Sequence, residues 1–238
     1  MIRFLNLVFF AVMIVMNWLA NALPLNNKTT GEISDSIPNL FAPAGITFTI
    51  WGIIYLLLLI YCILQFRQSN HTISMQIGWA FGLSCLLNAA WIVCWHYGRL
   101  PLSLVAMTGI LVALIYINML IRDLPFGIIK ASFGIYLGWI CIAMIANVTA
   151  LLVHYNWQAW GLSEETWTIV MISAGALIAT LTIYSVKNPF IGFSVIWAFA
   201  GIILKRHYDY RSIVITCAIG ILILAITISY GFIKRRAI

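Results

Sequence analysis

Eight apolar runs, each close to the thickness of a bilayer, divide this sequence. They cover residues 3–23, 44–66, 74–96, 101–121, 127–152, 166–185, 189–204 and 212–232. A helix needs ~20 apolar residues to cross hydrocarbon. In that medium only helices and closed barrels satisfy their own backbone. Period-two alternation is absent, which argues against a barrel. Charged residues make up 8% of the chain and hydrophobic ones 63%, whereas a soluble domain carries about 25% charged residues. One soluble core could not hide so much apolar surface, so the bilayer is the expected solvent. Connections are short. The expected fold class is therefore an all-α integral membrane protein, a polytopic helix bundle.

The net charge of +7 sits mostly at run ends, where it reads as topology rather than nucleic-acid binding. With eight spans both termini share a side. That side collects Arg3, Arg67, Arg122, Lys130, Lys187, Lys234, Arg235 and Arg236, against Lys28, Arg99, Lys205, Arg206 and Arg211 on the other. The positive-inside rule then puts both termini in the cytoplasm, with a cell (inner) membrane as the default location. The cluster Lys205, Arg206, Arg211 argues the other way. Ala20-Asn21-Ala22 mimics a signal-peptidase site, but the apolar run is long, and the first span is read as retained. The five cysteines fall inside spans without CxxC spacing and read as small apolar fillers.

No Asp, Glu, Lys or Arg lies near the middle of any span. Such charges mark proton relays and ion pathways, so a proton-coupled pump is disfavoured. The four histidines sit at span ends without metal-ligand spacing. No nucleophile elbow, P-loop or carboxylate pair occurs. The sequence names no catalytic residue, no metal ligand and no required cofactor, and it leans away from an enzyme.

What the spans do carry is aromatic. Some of the ten tryptophans suit the interfacial belt, but Trp51, Trp91 and Trp139 lie deeper. In the third span, Ser84, Asn88, Trp91 and Trp95 share one face. Gly78, Gly82, Cys85 and Ala89 share another, a small-residue face that admits a close helix. In the fifth span, Tyr136, Trp139, Ala143 and Asn147 form a stripe, with the small pair Gly134 and Gly138 opposite. Thr47, Trp51 and Tyr55 make a third stripe. Each stripe alone could be helix packing. Together they resemble the lining of a site for a flat, apolar ligand. Asn88 and Asn147 must find partners, because an unpaired amide in hydrocarbon costs several kcal/mol. They are either polar anchors or helix-to-helix ties. Pro43 and Gly45 open the second span; proline suits a first helical turn. The preceding segment of about 20 residues is long enough to act as a lid.

Three of these motifs, in order, carry a resemblance. Pro43 followed by Trp51 and "WGIIY", Asn88-x-x-Trp91 with Trp95, Tyr97 and Gly98, and "YLGW" with Ala143 and Asn147 resemble the second, third and fifth helices of the translocator protein family, the tryptophan-rich sensory proteins (TspO/MBR). The resemblance covers residues 1–155, the family's five-helix unit, and leaves 156–238 as an extension of about three spans in the same membrane domain. It implies a pocket for a tetrapyrrole, in some members a sterol, enclosed by the helices and capped by the first loop. The stretch "LLVHYNWQAW" lacks the arginine that the family associates with sterol recognition.

The function this implies is binding of a porphyrin-like ligand in a sensory, regulatory or transport role. The site would comprise Trp51, Tyr55, Asn88, Trp91, Trp95, Trp139, Ala143 and Asn147. The alternatives are a small exporter of apolar metabolites and a light-dependent porphyrin-degrading activity. The expected partners are the lipid bilayer and the ligand, with no nucleic acid. The resemblance suggests a homodimer on the Gly78/Gly82 face. That face also offers the extension a dock, and on this ground a monomer is expected.

Overall fold

A computed structural model describes residues 1–23 and 25–236, and the side chains up to residue 233. Among these the chain is helical. It comprises α1 (Ile2–Ala22), α2 (Thr30–Asp35), α3 (Ile50–Leu64), α4 (His71–His96), α5 (Leu100–Leu120), α6 (Ile128–His154), α7 (Glu164–Val186), α8 (Ile191–Arg206) and α9 (Arg211–Arg236). Every apolar run becomes a helix. Seven, counting the 3₁₀ turn Gly45–Thr49 with α3, are long and apolar enough to span a bilayer. The exception is α8. Its 16 residues reach about 24 Å at 1.5 Å each, short of the ~30 Å hydrocarbon core. Its start is fixed by Lys187, left-handed at φ 51°, and by Asn188-Pro189, since proline cannot continue a helix. Its end is fixed by Lys205 and Arg206. Lys234, Arg235 and Arg236, counted above for topology, have a described backbone, but their side chains lie outside the described residues.

The first five spans close a ring in the order α1, α4, α5, α6, α3; α7 and α8 pack against the outside of α6, and α9 packs against α7 and α8. Both small-residue faces are filled, and one occupant differs from expectation. The Gly78/Gly82 face holds α1: a Cβ at Gly78 would lie 3.0 Å from Ile2, and one at Gly82 would lie 2.7 Å from Phe9. The extension does not dock there, and a homodimer on that face would have to displace α1. The extension takes the other face. A Cβ at Gly134 would lie 2.7 Å from the Asn188 amide, and one at Gly138 would overlap the Ile191 carbonyl oxygen and Ser194 Oγ.

Pro43 is also displaced from its expected place. It precedes the cap of the 3₁₀ turn Gly45–Thr49, and the α-helix begins only at Ile50. Ala44 is held extended (φ −61°, ψ 146°) and donates its N–H to Gly201 O on α8 at 3.0 Å. The loop ahead of it is not structureless. Thr29 and Glu32 form a capping box that starts α2, each satisfying an otherwise orphan N–H of the other.

Candidate functional site

Under the loop, inside the ring, lies an aromatic cavity. Trp51 from α3 is its centre. It stacks on Tyr55 (5.5 Å between centroids, 22°), leans on Trp91 (6.4 Å), and meets Trp139 edge-on (6.2 Å, 84°). Trp91 and Trp95 stack one turn apart on α4 (5.9 Å, 23°). Phe48, in the 3₁₀ turn, closes on Trp139 at 6.0 Å. The α6 wall is small, with Ala143, Ala146 and Ala150 beside Asn147, and the lid contributes Thr30, Ser34, Ile37, Asn39 and Pro43. Free space between the walls, mouth included, is about 640 Å³, of which only about 50 Å³ admits the centre of a water molecule.

Two indoles stand out. Trp91 and Trp139 are 6% and 3% exposed, and both line the cavity. Their Nε1–H groups are buried with no hydrogen-bond partner among the described residues. A buried donor without an acceptor is costly and asks for an explanation in any native structure. A ligand carrying an oxygen acceptor would supply one.

The structure brings together most of the expected site residues. Trp51, Trp91, Trp95, Trp139, Ala143, Asn147 and Pro43 share the cavity. Tyr55 and Gly45 line an adjoining cleft with Asn17, Asn21 and Thr49. Asn88 is not among the cavity's walls. Its Oδ1 accepts from Asn17 Nδ2 at 2.7 Å and its Nδ2 donates to Tyr136 OH at 3.0 Å. Of its two expected roles the structure assigns the helix tie, joining α1, α4 and α6. Asn147 Nδ2 donates to Ser103 Oγ on α5 at 3.1 Å while still bordering the cavity.

Sequence reasoning missed the lid residues Thr30, Ser34, Ile37 and Asn39 and, beyond Ala143, the α6 alanines Ala146 and Ala150. The alanines were readable, because 139, 143, 146, 147 and 150 follow one helical stripe. Thr29-x-x-Glu32 likewise carried the capping-box spacing. Outside the membrane, the Thr29 backbone N–H and hydroxyl hold the Glu32 carboxyl below the usual carboxylate range.

Fold and site together define a polytopic helical membrane protein with an aromatic, lid-covered cavity at one end of its first five spans. The family model described as TSPO-like protein matches residues 3–230, and the chain belongs to that family. The match runs through the last three helices as well as the first five. Searches of curated proteins and of solved structures return no significant match.

Proposed function

We propose that this protein binds a flat, largely apolar ligand of the tetrapyrrole class in the cavity under the lid, in a sensory, regulatory or transport role. The observation that carries the reading is the pair of indole N–H groups, Trp91 and Trp139, without a partner among the described residues, in the wall of a cavity built mostly of aromatic and aliphatic side chains with a few polar groups from the lid and Asn147. Ring faces suit a flat π-system, and the two donors suit a carboxylate or carbonyl on its rim. Only about 50 Å³ of the cavity is open, short of the roughly 300–1,000 Å³ of ligand pockets, so binding requires the lid or the rings to move.

The test is a series of Trp→Phe changes at 51, 91, 95 and 139, each titrated with protoporphyrin IX by fluorescence quenching. Weaker binding is expected at more than one position. Unchanged affinity at all four refutes the site.

A further inference from the structure

The lid is fastened on two sides, and the fastenings differ. Its first half is tied to α4 within the ring. His96 reaches Thr30 Oγ1 (3.1 Å) and Leu25 O (3.0 Å) through its two ring nitrogens, and Asn26 Nδ2 donates to His96 O (3.0 Å). Its second half, from Asp35 to Thr47, is tied to α8, which belongs to the C-terminal three helices. Trp197 Nε1 donates to Thr47 O at 2.8 Å, and Gly201 O accepts from Ala44 N at 3.0 Å. Lys205 Nζ pairs with Asp35 Oδ1 at 2.5 Å and lies 3.5 Å from Pro43 O. Arg206 donates from Nε to Leu40 O (3.2 Å) and from Nη2 to Asn39 O (2.8 Å).

These contacts are organised. Trp197, Gly201 and Lys205 recur every four residues, so they form one stripe along α8. Gly201 is required in the middle, because a Cβ there would overlap the Thr47 side chain. Asn39 and Pro43, both in the cavity wall, are themselves among the fastened points.

We infer that α8 is the latch of the lid, and that ligand admission requires the 36–47 arm to come off α8 while the 25–33 arm stays on α4. The inference rests on the reading that the cavity takes a ligand. The chemistry of the fastening favours release. It consists mainly of polar bonds at the water-facing end of α8, and the Asp35–Lys205 pair is part-exposed, with side chains 53% and 26% accessible. Such pairs are weak singly and weaken with salt. Breaking them exposes carbonyls and charges to water, which can solvate them. The closed cavity, with little room inside, is the latched state.

The experiment is amide hydrogen exchange on the full-length protein in mild detergent, comparing wild type with Lys205→Met/Arg206→Met. Exchange across 36–47 is expected to rise by at least about tenfold, with 25–33 unchanged. Equal exchange across 36–47 in the two proteins overturns the latch. Should the double variant not fold, Asp35→Lys and Lys205→Asp serve instead: each alone speeds exchange, and the two combined restore it. Failure of the combined exchange to restore it counts against the ion pair. A stopped-flow arm then follows protoporphyrin IX quenching. Faster exchange with faster quenching supports latch and gate together. Faster exchange with an unchanged quenching rate shows porphyrin arriving by another route and overturns the gate. Faster exchange with no quenching in either protein supports the latch and overturns the ligand reading instead.

Discussion

Replacing Gly138 with alanine adds one methyl group to the seam between α6 and α8, and the structure leaves no room for it. The new Cβ would overlap the Ile191 carbonyl oxygen and Ser194 Oγ, and would lie 3.0 Å from the Ile191 carbonyl carbon. The serine could turn, but backbone cannot. Helix α8 would have to move outward, stretching the bond from Ser194 Oγ to Ile135 O, now 2.9 Å. Overpacking of this kind costs about 1–3 kcal/mol, and a strained buried hydrogen bond adds about 1 kcal/mol. The expected loss is therefore about 2–4 kcal/mol. Two controls bracket it. At Gly82 the obstacle is the Phe9 ring, a side chain that can rotate, so alanine there should cost about 1–2 kcal/mol. At Gly52 nothing lies within 4 Å, and alanine should be neutral or gain up to about 1 kcal/mol of helix propensity. Thermal unfolding in mild detergent, followed by tryptophan fluorescence, should rank Gly138→Ala below Gly82→Ala, with Gly52→Ala at or above wild type. A Gly138→Ala protein that melts with wild type would refute the close α6–α8 seam.

Three further outcomes are expected. Asn88→Leu removes the partner of the Tyr136 hydroxyl and of one Asn17 amide N–H, the other remaining on Met13 O, all inside the bundle, and should destabilise by about 2–4 kcal/mol in the same melt, with a smaller effect on porphyrin affinity. Trp91→Phe and Trp139→Phe each delete a buried donor that has no partner among the described residues. Stability should therefore stay within about 1 kcal/mol of wild type, while protoporphyrin IX binds about threefold to tenfold more weakly. Glu32 has a depressed carboxyl pKa from the Thr29 cap. Its contribution to α2 is thus present above the unfolded glutamate pKa and lost as pH falls through the folded one; carboxyl titration by NMR should give a value below free glutamate, and Thr29→Ala should raise it.

The spans and the cavity's rings were legible in the sequence for a common reason. Both signals are periodic, and helical geometry turns period into face. Trp51, Trp91 and Trp139 could be assigned to one site because each sits on a stripe too deep for the interfacial belt. What stayed hidden depends on contacts between distant segments. Nothing local to Lys205 or Arg206 says that they cap the carbonyls of Pro43, Leu40 and Asn39, more than 160 residues away. Read as a charge count, the two cations only blurred the topology. The start of the second span was misplaced for the same reason. Pro43 has the chemistry of a first-turn residue, but α8 holds Ala44 extended and delays the helix.

The two glycine faces show where sequence reasoning can be sharpened. Gly78/Gly82 and Gly134/Gly138 carry the same signal, that a helix approaches closely, and neither names the helix. The buried amides do. An amide in hydrocarbon must be met, and only a segment with a matching group can meet it. Asn17 on α1 binds Asn88 on α4, and Asn6 on α1 reaches Gln65 at the end of α3, so α1 is drawn into the Gly78/Gly82 groove. Asn188, just before α8, donates to Asn118 Oδ1 at 2.7 Å and to Lys130 O at 2.9 Å, which seats α8 against Gly134 and Gly138. Small residues make room, and polar residues choose the occupant. The choice of α8 for that seat has a consequence at the other end of the same helix: it brings Trp197, Gly201, Lys205 and Arg206 up against the lid.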